Sequence, residues 1–305
     1  EQWACPLHPG RALERVAETN WFFRLSGYEP FIRRFLAEHP AFIQPEARRN
    51  EVLAFVERGL EDVSITRANL DWGIPFPLAS DDGRHQVIYV WFDALPNYLT
   101  AVGFPDAGHE AHWPAQVHVV GKDITRFHCV LWPAILHAAG LPLPGQVWVH
   151  GFVSANGKRL SKSEGVWVDL ADATARYGTD ALRYYLLREI PFDGDGDFSW
   201  SRFDTRYAAD LANTLGNLVS RVTALVAQHC AGGIVPATDP ALATDAERAL
   251  AVREVAAFGE YRTSFAGCRP HRALDALFEV LAAGNVYVSP TAPWGLARDP
   301  SRRPE

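Results

Sequence analysis

The alternation of apolar runs between residues 87 and 153 constrains this chain more than any other feature. VIYVWF, VHVVG and VWVHGFV read as three strands, and TRFHCVLWPAILHAAG, between the second and third, has helical spacing and stops at Gly140. Short apolar strands around an apolar helix fit a parallel α/β sheet with crossover connections. Ligands bind such sheets beyond the carboxyl ends of the strands. Asp93 and Ala94 fall there after the first run, Lys122 and Asp123 after the second, and NGKRLSKSEG (156–165) after the third.

From about residue 171 the pattern turns helical. Leu211, Leu215, Leu218, Val222, Leu225 and Val226 recur at three- and four-residue spacing, which predicts one buried apolar stripe. Residues 243–285 keep the same character, so a helical bundle is expected after the sheet. The first 86 residues are mixed and punctuated by Pro and Gly, as in a separate insertion or lobe. With 305 residues, 48% of them hydrophobic, the chain can fill about two domains. It has neither a charged-then-apolar leader nor an apolar run of the roughly 18 residues needed for a membrane span. Its four cysteines are far apart, so a cytoplasmic protein without a disulfide framework is expected. The formal charge of −7 restricts any nucleic-acid contact to a local basic surface. The chain begins at Glu1 and contains no methionine, as expected of an excerpt from a longer chain.

Several residues carry chemistry. In RLSKS, Arg159 and Lys162 supply charge, Ser161 and Ser163 supply hydroxyls, and Gly157 and Gly165 let the segment change shape. That set can close on a polyphosphate and stabilise a departing pyrophosphate, although a solvated basic turn has the same composition. Asp123 fits either a substrate ammonium or the cap of the following helix. His128 and Trp132, four apart, share a helix face. Trp91, Ala94 and Tyr98 suit both a pocket for an apolar side chain and ordinary core packing. Cys5 and His8 have the spacing of half a zinc knuckle, but structural zinc takes four donors, no second pair follows nearby, and chance accounts for the spacing. Asn217 and Arg221 place an amide and a guanidinium on one outward side of a helix, and Trp294 adds a stacking surface. This fits base recognition or a plain solvated face.

The order and wording of these segments resemble the methionyl-tRNA synthetases, a family of class I aminoacyl-tRNA synthetases. The resemblance runs through ETNWFFRLSGYEP, ARRNEVLAFVERGLEDVSITR, VIYVWFDALPNYLT, VVGKDITRFHCVLWPAILHAAGLPLP, VHGFVSANGKRLSKSEG, TDALRYYLLREIPF, LANTLGNLVSR and NVYVSPTAPW. It implies a Rossmann-like parallel sheet followed by an anticodon-binding helical bundle. The implied domains are the rest of a connective insertion (1–86), the second half of the catalytic domain (87–152), a mobile loop and stem-contact region (153–206) and an incomplete anticodon domain (207–305). RLSKS resembles the family's Lys-Met-Ser-Lys-Ser loop, with Arg159 and Leu160 replacing Lys and Met. Lys162 then matches the lysine that stabilises pyrophosphate. Asp123 would meet the methionine ammonium, and Trp91, Ala94, Leu95, Tyr98, Ile124 and His128 would line its side-chain pocket. Leu95 replaces a proline of some relatives. Arg67 matches an arginine near the amino-acid and ATP sites, and Trp132 an aromatic that moves on substrate binding. His150 and Gly151 fall at the adenosine end of ATP, and Asn217, Arg221 and Trp294 match anticodon readers. Cys5 and His8 become the second half of a zinc knuckle.

The resemblance implies L-methionine, ATP with Mg2+, and tRNA(Met) as substrates and partners, with structural zinc depending on ligands outside this chain and a monomer favoured. The family's first Rossmann half, with its His-Ile-Gly-His type motif, has no counterpart in these residues. The altered loop also fits a synthetase-like enzyme of natural-product biosynthesis, joining an activated amino acid to a hydroxylated amine. The missing half fits a noncatalytic tRNA-binding protein. The retained pocket and anticodon residues favour the synthetase.

Overall fold

A computed structural model describes residues 17–79, 83, 85–160, 168–233, 235, 241 and 243–298. Contacts divide the chain into two compact units, one holding 1–42, 49–118 and 124–147, the other 43–48, 119–123 and 148–305. The fold is mixed α/β.

A three-stranded sheet has the order Ile43–Gln44, Gln146–His150, Val117–Gly121. Gly145 N donates to Ala115 O at 2.9 Å and Gln146 N to Gln116 O at 3.0 Å, so the two longer strands enter side by side and run the same way. The crossover between them is the expected apolar helix. It comprises a 3-10 turn at Lys122–Ile124, a π-wound turn at Phe127–Leu131 and an α-helix at Trp132–Ala138. Pro133 has no N–H to give the Cys129 carbonyl, and the wider turn lies directly before it. Gly140 ends the helix with φ +69°, and Leu141 N closes back on Leu136 O at 2.9 Å.

Two of the three predicted strands differ from expectation. Only Val87–Ile88 of VIYVWF is extended, and it pairs antiparallel with Thr66–Arg67 in a separate two-stranded sheet. Val90–Ala94 is helical, with Phe92 N and Asp93 N both donating to Tyr89 O. A short, uniformly apolar run carries no periodicity that separates strand from helix. VWVHGFV is broken into Gln146–His150 and Val153–Ala155 at Gly151, where a Cβ would collide with the Gly194 carbonyl oxygen.

In the second unit Val153–Ala155 is the centre of another small sheet, parallel to Gly196–Phe198 and antiparallel to Lys158–Arg159. Helix begins at Leu170, where the Asp169 carboxylate accepts Ala171 N and Asp172 N. Ala173, Ala181, Leu182, Tyr185, Phe198 and Phe203 form the core beneath it. Phe203 stacks on Tyr177 and Tyr185 with ring centroids 4.3 and 4.6 Å away. The predicted 243–285 helical stretch is a hairpin of Asp245–Ala266 and Pro270–Thr291, opened by a capping box between Thr244 and Glu247. The stripe on 207–229 is only partly buried, with Leu215 36% and Val222 41% exposed. Leu218 meets Pro270–Thr291 at Gly284 and Leu211 packs against the core around Phe203, so only part of the stripe is covered.

Phe203→Ala removes a fully buried ring and is expected to destabilise the second unit by about 3–5 kcal/mol. Urea denaturation followed by circular dichroism measures the change.

Candidate functional site

In the first unit, the structure gathers Trp91, Tyr98, His128 and Trp132. Tyr98 Oη lies 2.8 Å from His128 Nε2, and His128 Nδ1 lies 3.0 Å from Ile124 O. A carbonyl only accepts, so Nδ1 carries the imidazole proton and Nε2 accepts the Tyr98 hydroxyl hydrogen. Trp91 stacks on Phe127 at 4.1 Å and meets His128 edge-on at 6.4 Å. Trp132 is fully buried and tilted against Tyr98 at 6.2 Å. Leu95 is buried and Ala94 half-buried on the same short helical segment.

Sequence reasoning missed His118, which joins this cluster from mid-strand. Its ring lies 4.2 Å from Tyr98 and 6.2 Å from His128. Among the described residues, His118 Nε2 and Trp132 Nε1 are buried without a hydrogen-bond partner. Burial, helped by the nearby His128, pushes the His118 pKa down to about 4, and burial lowers that of His128 as well. Burial raises the Tyr98 hydroxyl. The cluster therefore presents an aromatic, uncharged surface at neutral pH, suited to an apolar ligand group with one weakly polar atom. Inward alternation with Val120 along Val117–Gly121 was the available signal for His118. Arg67 stands on the Thr66–Arg67 strand, its guanidinium 3.8 Å above the Tyr89 ring and bonded to Ser64 Oγ at 3.1 Å.

In the second unit, the strand ends place Lys122, Asp123, His150 and Gly151. A Cβ on Gly121 would fall 2.9 Å from Asp123 Oδ1 and 3.7 Å from His150 Cε1, so the carboxylate folds back over its own strand end. Asp123 is exposed and caps no helix amide among the described residues, which removes the capping alternative. His150 Nδ1 donates to Gly151 O at 2.8 Å, leaving Nε2 as the acceptor nitrogen.

Asp195, also missed, joins the two strand-end loops. Lys122 Nζ lies 2.7 Å from its Oδ2, and Phe152 N donates to its Oδ1 at 2.8 Å. These hydrogen bonds, that of Lys122 first, hold its carboxyl below the usual range. Beyond Phe152 the chain enters the Val153–Ala155 and Lys158–Arg159 hairpin. Ser161, Lys162, Ser163, Cys5 and His8 lie outside the described residues, as does the Arg159 side chain.

On the bundle, Asn217 and Arg221 are engaged rather than free on an outward face. Asn217 Nδ2 donates to Asn285 Oδ1 at 2.9 Å, and Arg221 reaches Asn285 O at 3.4 Å and Ser289 Oγ at 3.2 Å. Asn285 in turn donates to Thr214 O at 2.8 Å. Trp294 sits on the turn Pro293–Leu296, 40% exposed.

With this geometry in place, the family model described as "tRNA synthetases class I (M)" matches residues 9–223. The chain belongs to that family. Methionine–tRNA ligase of Brucella suis biovar 1 (strain 1330) is 44% identical over 296 residues, spanning 96% of this chain and 56% of the relative. The Synechocystis sp. (strain ATCC 27184 / PCC 6803 / Kazusa) enzyme is 46% identical over 312 residues, spanning 98% and 56%. Mycobacterium tuberculosis methionyl-tRNA synthetase in complex with methionyl-adenylate superposes with a TM-score of 0.85 at 41% identity, covering 98% of this chain and 58% of that one. The chain thus spans little more than half the length of the synthetases it matches. Membership assigns it the class I synthetase fold.

The depressed histidines carry a stability consequence. Unfolded His118 takes up a proton below about pH 6.5, whereas the folded ring stays neutral until about pH 4. Its contribution is present above 6.5 and lost as pH falls through that window. Urea melts are expected to show stability declining from pH 6.5 towards 4, with a shallower decline in His118→Phe.

Proposed function

We propose that this chain is part of an enzyme that activates L-methionine with ATP and transfers it to tRNA(Met). The observation that carries the reading is the superposition of nearly the whole chain on a synthetase holding methionyl-adenylate. In the first step the methionine carboxylate attacks the α-phosphorus of ATP and pyrophosphate leaves. In the second, a 3′-terminal ribose hydroxyl of the tRNA attacks the acyl carbonyl and AMP leaves.

Asp123 receives the methionine ammonium, which supplies a counter-charge that its carboxylate does not have among the described residues. Trp91, Ala94, Leu95, Tyr98, Ile124, His128 and Trp132 surround the thioether side chain. Support comes from the neutral state of His128 and its bond to Tyr98. Two uncharged imidazoles accept an uncharged side chain at no Coulombic cost and offer nothing to a carboxylate. Arg67 lies near the amino acid and ATP. His150 and Gly151 border the adenosine. Lys162, with Arg159, Ser161 and Ser163, neutralises charge on the departing pyrophosphate, and Mg2+ accompanies ATP. Asn217, Arg221 and Trp294 read the anticodon by hydrogen bonding and stacking, with Asn285 fixing the first two.

In this reading residues 87–152 are the second half of the catalytic domain, 153–206 the loop and stem-contact region, and 207–305 part of the anticodon domain, with 1–86 the rest of the connective insertion. Cys5 and His8 give two of the four donors that structural zinc takes. Among the described residues no helix is long and apolar enough to cross a membrane. A cytoplasmic monomer is the proposed setting.

ATP–pyrophosphate exchange on the full-length protein, run with each standard amino acid, is expected to respond to methionine alone. Lys162→Ala should cut that exchange by about a hundredfold or more while the KM for methionine barely moves. Exchange driven by a different amino acid overturns the reading.

A further inference from the structure

His150 closes the strand Gln146–His150, and its imidazole bonds to the next residue of its own chain, Nδ1 donating to Gly151 O at 2.8 Å. That carbonyl belongs to the Gly151–Phe152 peptide. The other end of the same peptide is also engaged, since Phe152 N donates to Asp195 Oδ1 at 2.8 Å. A trans peptide is planar, with its C=O and N–H pointing opposite ways. Whatever turns one end turns the other, so Asp195 and His150 hold a single rigid plate from opposite sides.

The carboxylate is itself held in place. Its Oδ2 lies 2.7 Å from Lys122 Nζ, which leaves Oδ1 for the Phe152 amide. The backbone beside it is tied as well, with Gly196 N donating to Phe152 O at 2.8 Å and the Gly194 carbonyl filling the space of a side chain at Gly151. From the same 192–196 segment, Phe192 meets the His150 ring edge-on with centroids 6.0 Å apart. The partner of one ring nitrogen decides which tautomer a neutral imidazole adopts. Here the direction of that partner is set by a carboxylate 43 positions along from Phe152. A charge on the N–H side also polarises the peptide and strengthens its carbonyl as an acceptor.

We propose that Asp195 is a positioning residue for His150: by anchoring the Phe152 N–H it orients the Gly151 carbonyl, which keeps the His150 proton on Nδ1 and presents Nε2 as the acceptor nitrogen. The proposal rests on the synthetase reading for the ligand, in which Nε2 accepts from a donor group of the adenosine. The tautomer itself does not depend on that reading. Asp195 acts only through the Gly151–Phe152 peptide, and Lys122 contributes by holding the carboxylate at the angle that the Phe152 amide requires.

The experiment compares the full-length protein with Asp195→Ala and Asp195→Asn, the latter keeping one acceptor oxygen for two donors. Two readouts are taken beside the melting temperature. One is heteronuclear NMR of protein labelled on its histidine nitrogens, whose ring shifts report the tautomer, with His150→Gln identifying the His150 signals. The other is ATP–pyrophosphate exchange, giving separate KM values for ATP and methionine. The wild-type His150 is expected to carry its proton on Nδ1, and Asp195→Ala to show a mixture of both tautomers. In the same variant the KM for ATP rises about fivefold, the loss of one ordinary hydrogen bond, while the KM for methionine barely moves. The melting temperature stays near wild type because the Asp195 carboxylate is exposed, and Asp195→Asn falls between the two. An unchanged His150 tautomer in Asp195→Ala overturns the proposal. So does a loss of melting temperature with the two KM values rising together, the pattern of a purely structural residue. If the wild-type protein activates no amino acid, the synthetase reading fails by itself, and the tautomer at equal melting temperature still decides whether Asp195 positions His150.

Discussion

The Asp195 carboxylate is the interaction around which the second unit's strand ends are organised. One oxygen takes the Lys122 ammonium from the loop after Val117–Gly121, and the other takes the Phe152 amide from the loop after Gln146–His150. The carboxylate is exposed, so water screens the pair and its energy is modest. Its importance is geometric. Both loops are referred to a single rigid group, and the Lys122 ammonium is further seated 4.5 Å over the Phe152 ring. Gly151 is required beside this junction because the Gly194 carbonyl occupies the space of a side chain. The neighbouring Asp123 and His150 are thereby presented at neighbouring strand ends.

The first unit solves a different problem, that of building an aromatic surface without charge. Desolvation removes the imidazolium form of His118 and His128, and the Ile124 carbonyl fixes which nitrogen of His128 keeps its proton. The Tyr98 hydroxyl is committed to the other nitrogen. A set of groups that individually titrate or rotate becomes a single neutral arrangement.

Local chemistry was legible in the sequence. Gly140 stops its helix, the apolar helix between the two long strands exists and Asp123 stands at a strand end. Each depends on residues within a few positions, where backbone preference and periodicity act. Val90–Phe92 reads as strand in the sequence and is helical in the fold because apolarity alone fits either state. The 207–229 stripe was read as wholly buried because periodicity identifies a face without saying how much of it a neighbour covers.

The sequence by itself determined the family and the alternation of sheet and helix, since several long phrases in fixed order are specific even when each short motif is weak. Tertiary structure alone decided the partners of His118, Asp195 and Asn285. Lys122 and Asp195 are 73 positions apart, Asn217 and Asn285 are 68, and Tyr98 and His128 are 30. No local preference encodes such pairs. They arise because parallel crossovers and returning helices bring distant backbone together, and a hydrogen bond depends on distance in space, whatever the separation along the chain.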